Sequence, residues 1–400
     1  MSKGALSRRA RKIKPSPTLS IDAKAKAMKG AGVDIVNFGV GEPDFDTPGY
    51  IKEAAIKAIQ DGFTKYTPVG GIIELKDAVI KRLKDDHGLS YSRQEIVISC
   101  GGKHALYNLA QALFDKGDEV IIPAPYWVSY PPIVELAGAK PVIIETREED
   151  GFDLDVSALE KMITPRTKGI ILNSPSNPTG SVFSARTLRQ MGDLVQDHNC
   201  YVISDDIYEK IRFDGKKPGN LLSLNPKLRE KVFILNGVSK TYAMTGWRIG
   251  YLAGPADIIS AVTNIQSQST SNPTSISQKA AVAALNGPDS FITKMVSVFK
   301  ERRDYIVKRL KAIPGVTCVK PQGAFYAFPN VSAYYSRGYK GRKITNSMAL
   351  CDYLLEEARL AVVPGVAFGD DRYIRFSFAT SMENIAKGMD RFKEALKRLS

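Results

Sequence analysis

Val232-Phe233-Ile234-Leu235 is followed, after three residues, by Ser239-Lys240-Thr241-Tyr242-Ala243-Met244-Thr245-Gly246-Trp247-Arg248-Ile249-Gly250-Tyr251. A short β-branched and aromatic run that turns polar at once reads as a buried strand emptying into a loop. That loop presents a lysine with a hydroxyl beside it and an arginine eight residues on. A lysine amine condenses with a carbonyl to form a Schiff base, and Ser239 and Arg248 are suited to a phosphate on the same molecule. Taken alone, such a lysine is ordinarily a surface residue on a strand-exit loop. The weight therefore rests on what leaves the neighbouring strands.

Upstream, the same pattern repeats. Ile96-Val97-Ile98, Val120-Ile121-Ile122, Val142-Ile143-Ile144, Ile170-Ile171-Leu172 and Tyr201-Val202-Ile203 alternate with helix-length segments. This predicts an α/β fold, a mostly parallel sheet flanked by helices, with ligands bound beyond the carboxyl ends of the strands. After Ile98 comes Ser99-Cys100-Gly101-Gly102-Lys103 and then a helical pattern. A glycine turn opening a helix leaves amide N–H groups free for an anion, although Gly-Gly alone is more often just a tight turn. Neither GxxxxGK[ST] nor a strand-borne GxGxxG occurs. After Ile122 comes Pro123-Ala124-Pro125-Tyr126-Trp127, one of two tryptophans in the chain, placed to stack on a planar ring or to pack under a loop. Asn173-Ser174-Pro175-Ser176-Asn177-Pro178-Thr179-Gly180 reads as a rigid polar turn. Ser204-Asp205-Asp206-Ile207-Tyr208 brings two carboxylates out of a buried strand. They need a cationic partner, unless Asp205 only caps a helix.

Length and composition narrow the classes. Four hundred residues, 44% of them hydrophobic, suffice for a large domain and a smaller one. The polar, basic N-terminus and the lack of long apolar runs lead to a cytoplasmic expectation, with no membrane partner. Cys100, Cys200, Cys318 and Cys351 form no CxxC, and His87, His104 and His198 have no metal-ligand spacing, so no metal site is expected. The net charge of +14 includes a cluster at Arg8, Arg9, Arg11, Lys12 and Lys14. The cluster is short and free of aromatics, and elsewhere cations alternate with acids, which favours a solvated surface and small dianions over nucleic acid.

The last third changes character. A long amphipathic helix is predicted over Ser290 to Ala312, followed by strands at Ala324-Phe328, Leu360-Val363 and Tyr373-Phe378. This gives a smaller α+β domain over 299–400, joined by an N-terminal segment over 1–47, with the large domain over 48–298. In the last strand Ile374, Phe376 and Phe378 share one face, so Arg375 faces the other way with Tyr373 and Ser377. An arginine there can clamp a carboxylate or make a surface salt bridge.

The lysine motif, Asn-Pro-Thr-Gly at 177–180, Ser-Asp-Asp-Ile-Tyr at 204–208, Gly-Glu-Pro-Asp-Phe-Asp-Thr-Pro at 41–48 and the late Arg375 occur in the order found in one family. From Leu6 to the C-terminus the chain resembles the fold-type I, class I pyridoxal-phosphate aminotransferases. Pro-Ala-Pro-Tyr-Trp-Val-Ser-Tyr-Pro and Ala-Phe-Gly-Asp-Asp are similar to the bacterial-type aspartate and bifunctional aspartate/prephenate aminotransferases. The resemblance implies that Lys240 bonds the cofactor aldehyde and then moves the substrate proton. It implies that Asp205 pairs with the pyridine nitrogen, that Tyr208 and Asn177 bond the phenolic oxygen, and that Trp127 stacks on the ring. Gly101, Gly102, Ser239 and Arg248 are then expected on the phosphate, with Tyr66 reaching it from the neighbouring subunit of a homodimer. Arg375, Asn177 and the Gly41 backbone are expected on the substrate α-carboxylate. Lys103 and Thr18, with Lys14 nearby, mark dicarboxylate and prephenate use, and closure of the small domain would carry Lys14 and Thr18 over the substrate. Asp206 stands where relatives usually have Glu, a neighbour of the pyridine partner and not the partner itself. Ping-pong transfer between glutamate or aspartate and oxaloacetate, 2-oxoglutarate or prephenate follows from the resemblance. The alternatives are another fold-type I enzyme, such as an aromatic or alanine aminotransferase or a C–S lyase, and, from a different class, a basic regulator bound to nucleic acid.

Overall fold

The computed structural model describes residues 6–13, 15, 17–216 and 219–400. Its centre is a seven-stranded sheet of β1 (Ile96–Ser99), β2 (Glu119–Ala124), β3 (Lys140–Glu145), β4 (Thr167–Asn173), β5 (Tyr201–Asp205), β6 (Val232–Gly237) and β7 (Gly250–Ala253). Across the sheet the order is β1, β7, β6, β5, β4, β2, β3. The pairs β6–β5, β5–β4, β4–β2 and β2–β3 are parallel, and β7 runs against both of its neighbours. Apart from the edge strand β3, whose Lys140, Ile143 and Glu145 are exposed, the strands are largely apolar on both faces because both faces are covered. Ile96, Ile98, Ile121, Ile170, Val202 and Ile234 enter one core, while their neighbours Val97, Val120, Ile122, Ile171, Ile203, Phe233 and Leu235 enter the other. Strand pleating sends successive side chains to opposite sides, so one apolar run feeds two cores.

A further core gathers around the helix Ser290–Lys311, with the helices Ser347–Ala358 and Met382–Lys397. Its three-stranded antiparallel sheet joins Val363–Pro364, Ile374–Ser377 and Tyr326–Ala327. The N-terminal part of the chain belongs here too. Val36–Asn37 pairs in parallel with Leu360–Ala361, and Ala25 packs with Leu355 and Ala361.

Three strand expectations need correction. The run Leu360–Val363 is two strands, because its first half pairs with Val36–Asn37 and its second with Ile374 and Arg375, and the chain bends where it changes partner. The strand at Ala324–Phe328 shrinks to Tyr326–Ala327, since Ala324 adopts φ 55° and leaves extended geometry. The strand β7 went unpredicted because its glycine start reads as the tail of the lysine loop. The surface salt bridge considered for Arg375 does not occur: Arg375 and Ser377 are 3% and 2% exposed, so this strand too is covered on both faces.

Candidate active site

Because the sheet is parallel apart from β7, the ends of β1, β2, β4, β5 and β6 and the start of β7 emerge at one edge. A cavity of about 380 Å³ lies against that edge. Its wall includes Gly102, Lys103, Trp127, Asn177, Asp205, Tyr208, Ser239, Lys240 and Arg248 from the sheet side, with Gly39, Gly41, Glu42, Tyr326 and Arg375 opposite.

Lys240 follows β6, and its Nζ donates to the Gly41 carbonyl at 2.6 Å. Burial lowers its pKa from 10.5 to about 8; Arg248, Arg375 and Lys103 add to the effect, and Glu42 opposes it. Near pH 8 about half of such amines are neutral and nucleophilic, roughly a hundredfold or more above an ordinary lysine.

Asp205 ends β5 and is 4% exposed. Its Oδ2 accepts the Tyr130 hydroxyl at 2.7 Å and its Oδ1 accepts the Ile207 N–H at 3.2 Å. Burial raises its pKa from 3.8 to about 6, against the pull of these two donors and of Lys240. The carboxylate is thus charged at neutral pH yet only half compensated, the condition of a group awaiting a cation. Asp206, the next residue, takes a different set of partners: Ser204 Oγ at 2.8 Å and Asn220 Nδ2 at 2.9 Å. Burial, with Glu209 nearby, holds it well above the usual carboxylate range. Glu209 in turn bonds His87 Nε2 at 2.7 Å and Asn236 Nδ2 at 2.8 Å, which fastens the turn after β5 to the end of β6. The Tyr208 hydroxyl meets that of Tyr326 at 2.8 Å.

Gly101 opens the helix Gly102–Leu113 at φ 91°. A side chain there would be strained, and its Cβ would fall 2.4 Å from Arg248 Nη2. Arg248 donates to the Thr245 carbonyl at 2.8 Å and the Cys100 carbonyl at 3.3 Å. The helix start, Ser239 and the guanidinium therefore converge around one concavity.

Arg375 donates from Nη1 to Asn177 Oδ1 at 3.0 Å and from Nη2 to the Gly39 carbonyl at 2.7 Å, and its buried Nε has no partner. The guanidinium lies 4.5 Å from the centre of the Tyr326 ring and 5.1 Å from that of Phe368. Both of its hydrogen-bond acceptors are neutral. A buried cation without a carboxylate partner is expensive and is suited to a ligand anion. Lys103 sits at the mouth, with Nζ 5.0 Å from the centre of the Trp127 ring. The charged lining residues are four cations and two carboxylates, a balance that favours dianions.

The structure thus brings together Gly41, Gly102, Lys103, Trp127, Asn177, Asp205, Tyr208, Ser239, Lys240, Arg248 and Arg375, with Gly101 immediately beside Arg248. Tyr66 is not among them; it is 91% exposed on the surface. Lys14 lies outside the described residues, and of Thr18 only the backbone is described, inside the helix Pro17–Gly30. Sequence reasoning missed Tyr130, Tyr326, Gly39, Glu42, Asn173 and Thr245. Tyr130 lies in the quoted Pro-Ala-Pro-Tyr-Trp-Val-Ser-Tyr-Pro run, but nothing in a tyrosine's spacing tells that its hydroxyl reaches Asp205.

Known proteins decide the family. The sequence profile described as aminotransferase class I and II matches residues 33–392. The chain belongs to this family. Among aminotransferases, it is 50% identical over 394 residues to the aspartate/prephenate aminotransferase of Nitrosomonas europaea, covering 98% of this chain and 99% of that one. It is 48% identical to the aspartate aminotransferase of Geobacillus stearothermophilus, covering 96% and 97%. Of solved aminotransferase structures, that of the aspartate aminotransferase from Rhizobium meliloti superimposes with a TM-score of 0.95 at 44% identity, covering 99% of each chain. The aspartate aminotransferase from Thermus thermophilus with maleate gives 0.92 at 40%, covering 98% of this chain and 99% of that one. The fold is therefore that of these enzymes, and the activity class is amino-group transfer. Among the described residues no cluster could hold a metal ion, and no helix is long and apolar enough to cross a membrane.

Proposed function

We propose that this aminotransferase uses pyridoxal phosphate to move the amino group of aspartate or glutamate to oxaloacetate, 2-oxoglutarate and prephenate, the last giving arogenate. The observation that carries this reading is a single cavity that joins a lysine of lowered pKa, a buried half-compensated carboxylate and a buried arginine with only neutral acceptors. The cradle fits the cofactor: Gly101 leaves room at the helix start, and Ser239 and Arg248 supply donors to a dianionic phosphate. Bound there, the cofactor supplies an electron sink for the substrate carbon. Lys240 would hold the cofactor through its amine, and the same amine would move the proton at the substrate α-carbon. Asp205 keeps the ring nitrogen protonated, with Tyr130 fixing the carboxylate's orientation. Trp127 covers the ring, and Tyr208 and Asn177 donate to its phenolic oxygen. Arg375 and the Gly41 N–H take the α-carboxylate. Lys103 takes the distal carboxylate with Thr18 and Lys14, a reading supported by the maleate complex of the Thermus relative, since maleate is a dicarboxylate.

The division at 47/48 and 298/299 into a large and a small domain belongs to this reading, supported by the separate cores, as do a cytoplasmic location and a homodimer. For the dimer the support is Tyr66, exposed with Ile59 at 54% and Ile73 at 54%, three large side chains on one stretch of chain. Tyr66 is assigned to the partner's phosphate.

The test is a set of half-reactions. Protein carrying the cofactor in its amino form is mixed with oxaloacetate, 2-oxoglutarate, prephenate and phenylpyruvate, and return of the aldehyde absorbance is followed. The dicarboxylic acceptors are expected to react faster than phenylpyruvate. Faster phenylpyruvate removes Lys103 from its role, and release of ammonia or a thiol in place of amino transfer overturns the reaction.

A second expectation concerns the cradle. Gly101→Ala combines left-handed strain with displacement of Arg248, so the cofactor dissociation constant should rise about tenfold or more. Equilibrium dialysis measures it. Unchanged retention would place the phosphate elsewhere.

A further inference from the structure

The segment from Gly39 to Thr47 contacts Arg375, Lys240 and the loop that follows Lys240. The Gly39 carbonyl accepts Arg375, the Gly41 carbonyl accepts Lys240, and Glu42 Oε2 accepts the Thr245 hydroxyl at 2.6 Å. At its far end the Thr47 hydroxyl donates to the Ala243 carbonyl at 2.7 Å and accepts the Trp247 indole N–H at 3.0 Å. Between these contacts the segment is gripped from outside the cavity. Asp44 receives a two-pronged ion pair from Arg302, Nη1 to Oδ1 at 2.7 Å and Nη2 to Oδ2 at 2.9 Å. Arg302 is 9% exposed and lies 5.6 Å and 5.7 Å from the centres of the Phe45 and Phe299 rings. Phe45 itself packs edge-on against Phe291 and Phe299. All three partners, Phe291, Phe299 and Arg302, lie on the helix Ser290–Lys311.

That helix changes allegiance along its length. Ile292 belongs to the core of the main sheet, whereas Met295, Phe299, Ile306, Val307 and Leu310 belong to the core around the C-terminal elements. The ion pair therefore meets the helix about two turns past the crossover, on the part that belongs to the C-terminal core. A bidentate guanidinium–carboxylate pair fixes angle as well as distance, which a single hydrogen bond does not. Gly41 is closely approached: a Cβ on it would come 3.0 Å from the Tyr326 hydroxyl. Asp44 stands three residues from Gly41 along the same segment.

We propose that Asp44 and Arg302 are positioning residues that set the Gly41 backbone against the substrate carboxylate and tie its placement to the helix that links the two cores. The proposal rests on the reading of Arg375 and Gly41 as the carboxylate site. Neither residue lines the cavity.

The test uses holoenzyme and the variants Asp44→Asn, which keeps shape and removes charge, and Arg302→Lys, which keeps charge and removes the fork. Both are expected to raise KM for dicarboxylic substrates, and the dissociation constant of the unreactive dicarboxylate succinate, about tenfold, with kcat changed less than about twofold. Acrylamide quenching of tryptophan fluorescence should increase, because Trp247 is bonded to the end of the segment. Unchanged KM, succinate affinity and quenching overturn the proposal. Increased quenching or a lower melting temperature with unchanged succinate affinity also overturns it, since that pattern is structural support only. Wild-type protein that binds succinate but transfers no amino group sinks the proposed reaction and leaves the succinate comparison to judge the tether; wild-type protein that binds no succinate overturns both.

Discussion

Lys240→Ala is expected to lower amino-group transfer by on the order of 10⁴-fold or more, because in the proposed reaction one side chain both holds the cofactor and carries the proton. The physical basis is the depressed pKa, about 8, produced by burial among Arg248, Arg375 and Lys103. Removing the amine should leave the fold intact, since Lys240 makes one hydrogen bond, to a backbone carbonyl that solvent in the cavity can serve instead. Cofactor trapping by borohydride, read by mass spectrometry, should vanish with the activity. A second signature is available without cofactor. The folded amine titrates near 8 and the unfolded one near 10.5, so the unfolded chain binds more protons between those values. Stability of the cofactor-free wild type should therefore rise with pH across that window relative to Lys240→Ala. Full turnover in the variant would end the case for Lys240.

Asp205→Asn should cost about 10³-fold in turnover, since in the proposed reaction the carboxylate holds the cofactor's ring nitrogen protonated and an amide cannot. Its effect on the cofactor-free protein has the opposite flavour. The Asp205 carboxyl titrates at about 6 when folded against 3.8 unfolded, so folding takes up a proton between these values. Wild-type stability should then fall as pH rises from about 4 to 6, by up to about 1.4 kcal/mol per pH unit, a slope that Asp205→Asn lacks. The variant does not simply gain the whole difference. Tyr130 and Ile207 donate to separate oxygens, and an asparagine offers only one, so the Tyr130 hydroxyl must turn to accept from the amide N–H and gives up its bond to the carboxylate, at a cost of about 1–3 kcal/mol. Urea unfolding of the two proteins at pH 4, 5, 6 and 7 separates these terms. Parallel pH profiles would mean that Asp205 is not buried as a charge.

The sheet and the residues at its carboxyl edge were legible in the sequence, because buried strands advertise themselves as short apolar runs and the polar residues that end them stand out. Lys240, Asp205, Asn177 and Gly101 are visible for that reason. Tyr130 and Tyr326 were not, since a tyrosine reads equally as core, and only the fold reveals that their hydroxyls meet Asp205 and Tyr208. The small antiparallel sheet was blurred for a related reason: its strands are a few residues long and change partners within one apolar run, so periodicity has too little length to register. The contacts of Asp44 with Arg302 join residues far apart in sequence, and no local pattern announces them.

The lysine loop leaves β6 and returns as β7, its immediate antiparallel neighbour, with Gly237 and Gly250 paired across the junction. Their closeness is tight: a Cβ on Gly237 would lie 2.9 Å from the Gly250 Cα. Ser239, Lys240 and Arg248 thus ride on one Ω-like loop whose ends close on each other, within the roughly 6–16 residues such loops span. The loop is also held from outside: Arg248 donates to the Cys100 carbonyl, the Thr245 hydroxyl to Glu42 and the Trp247 indole to Thr47. The distance from Lys240 to Arg248 is therefore set twice, by the closed ends of the loop and by two other segments that meet it.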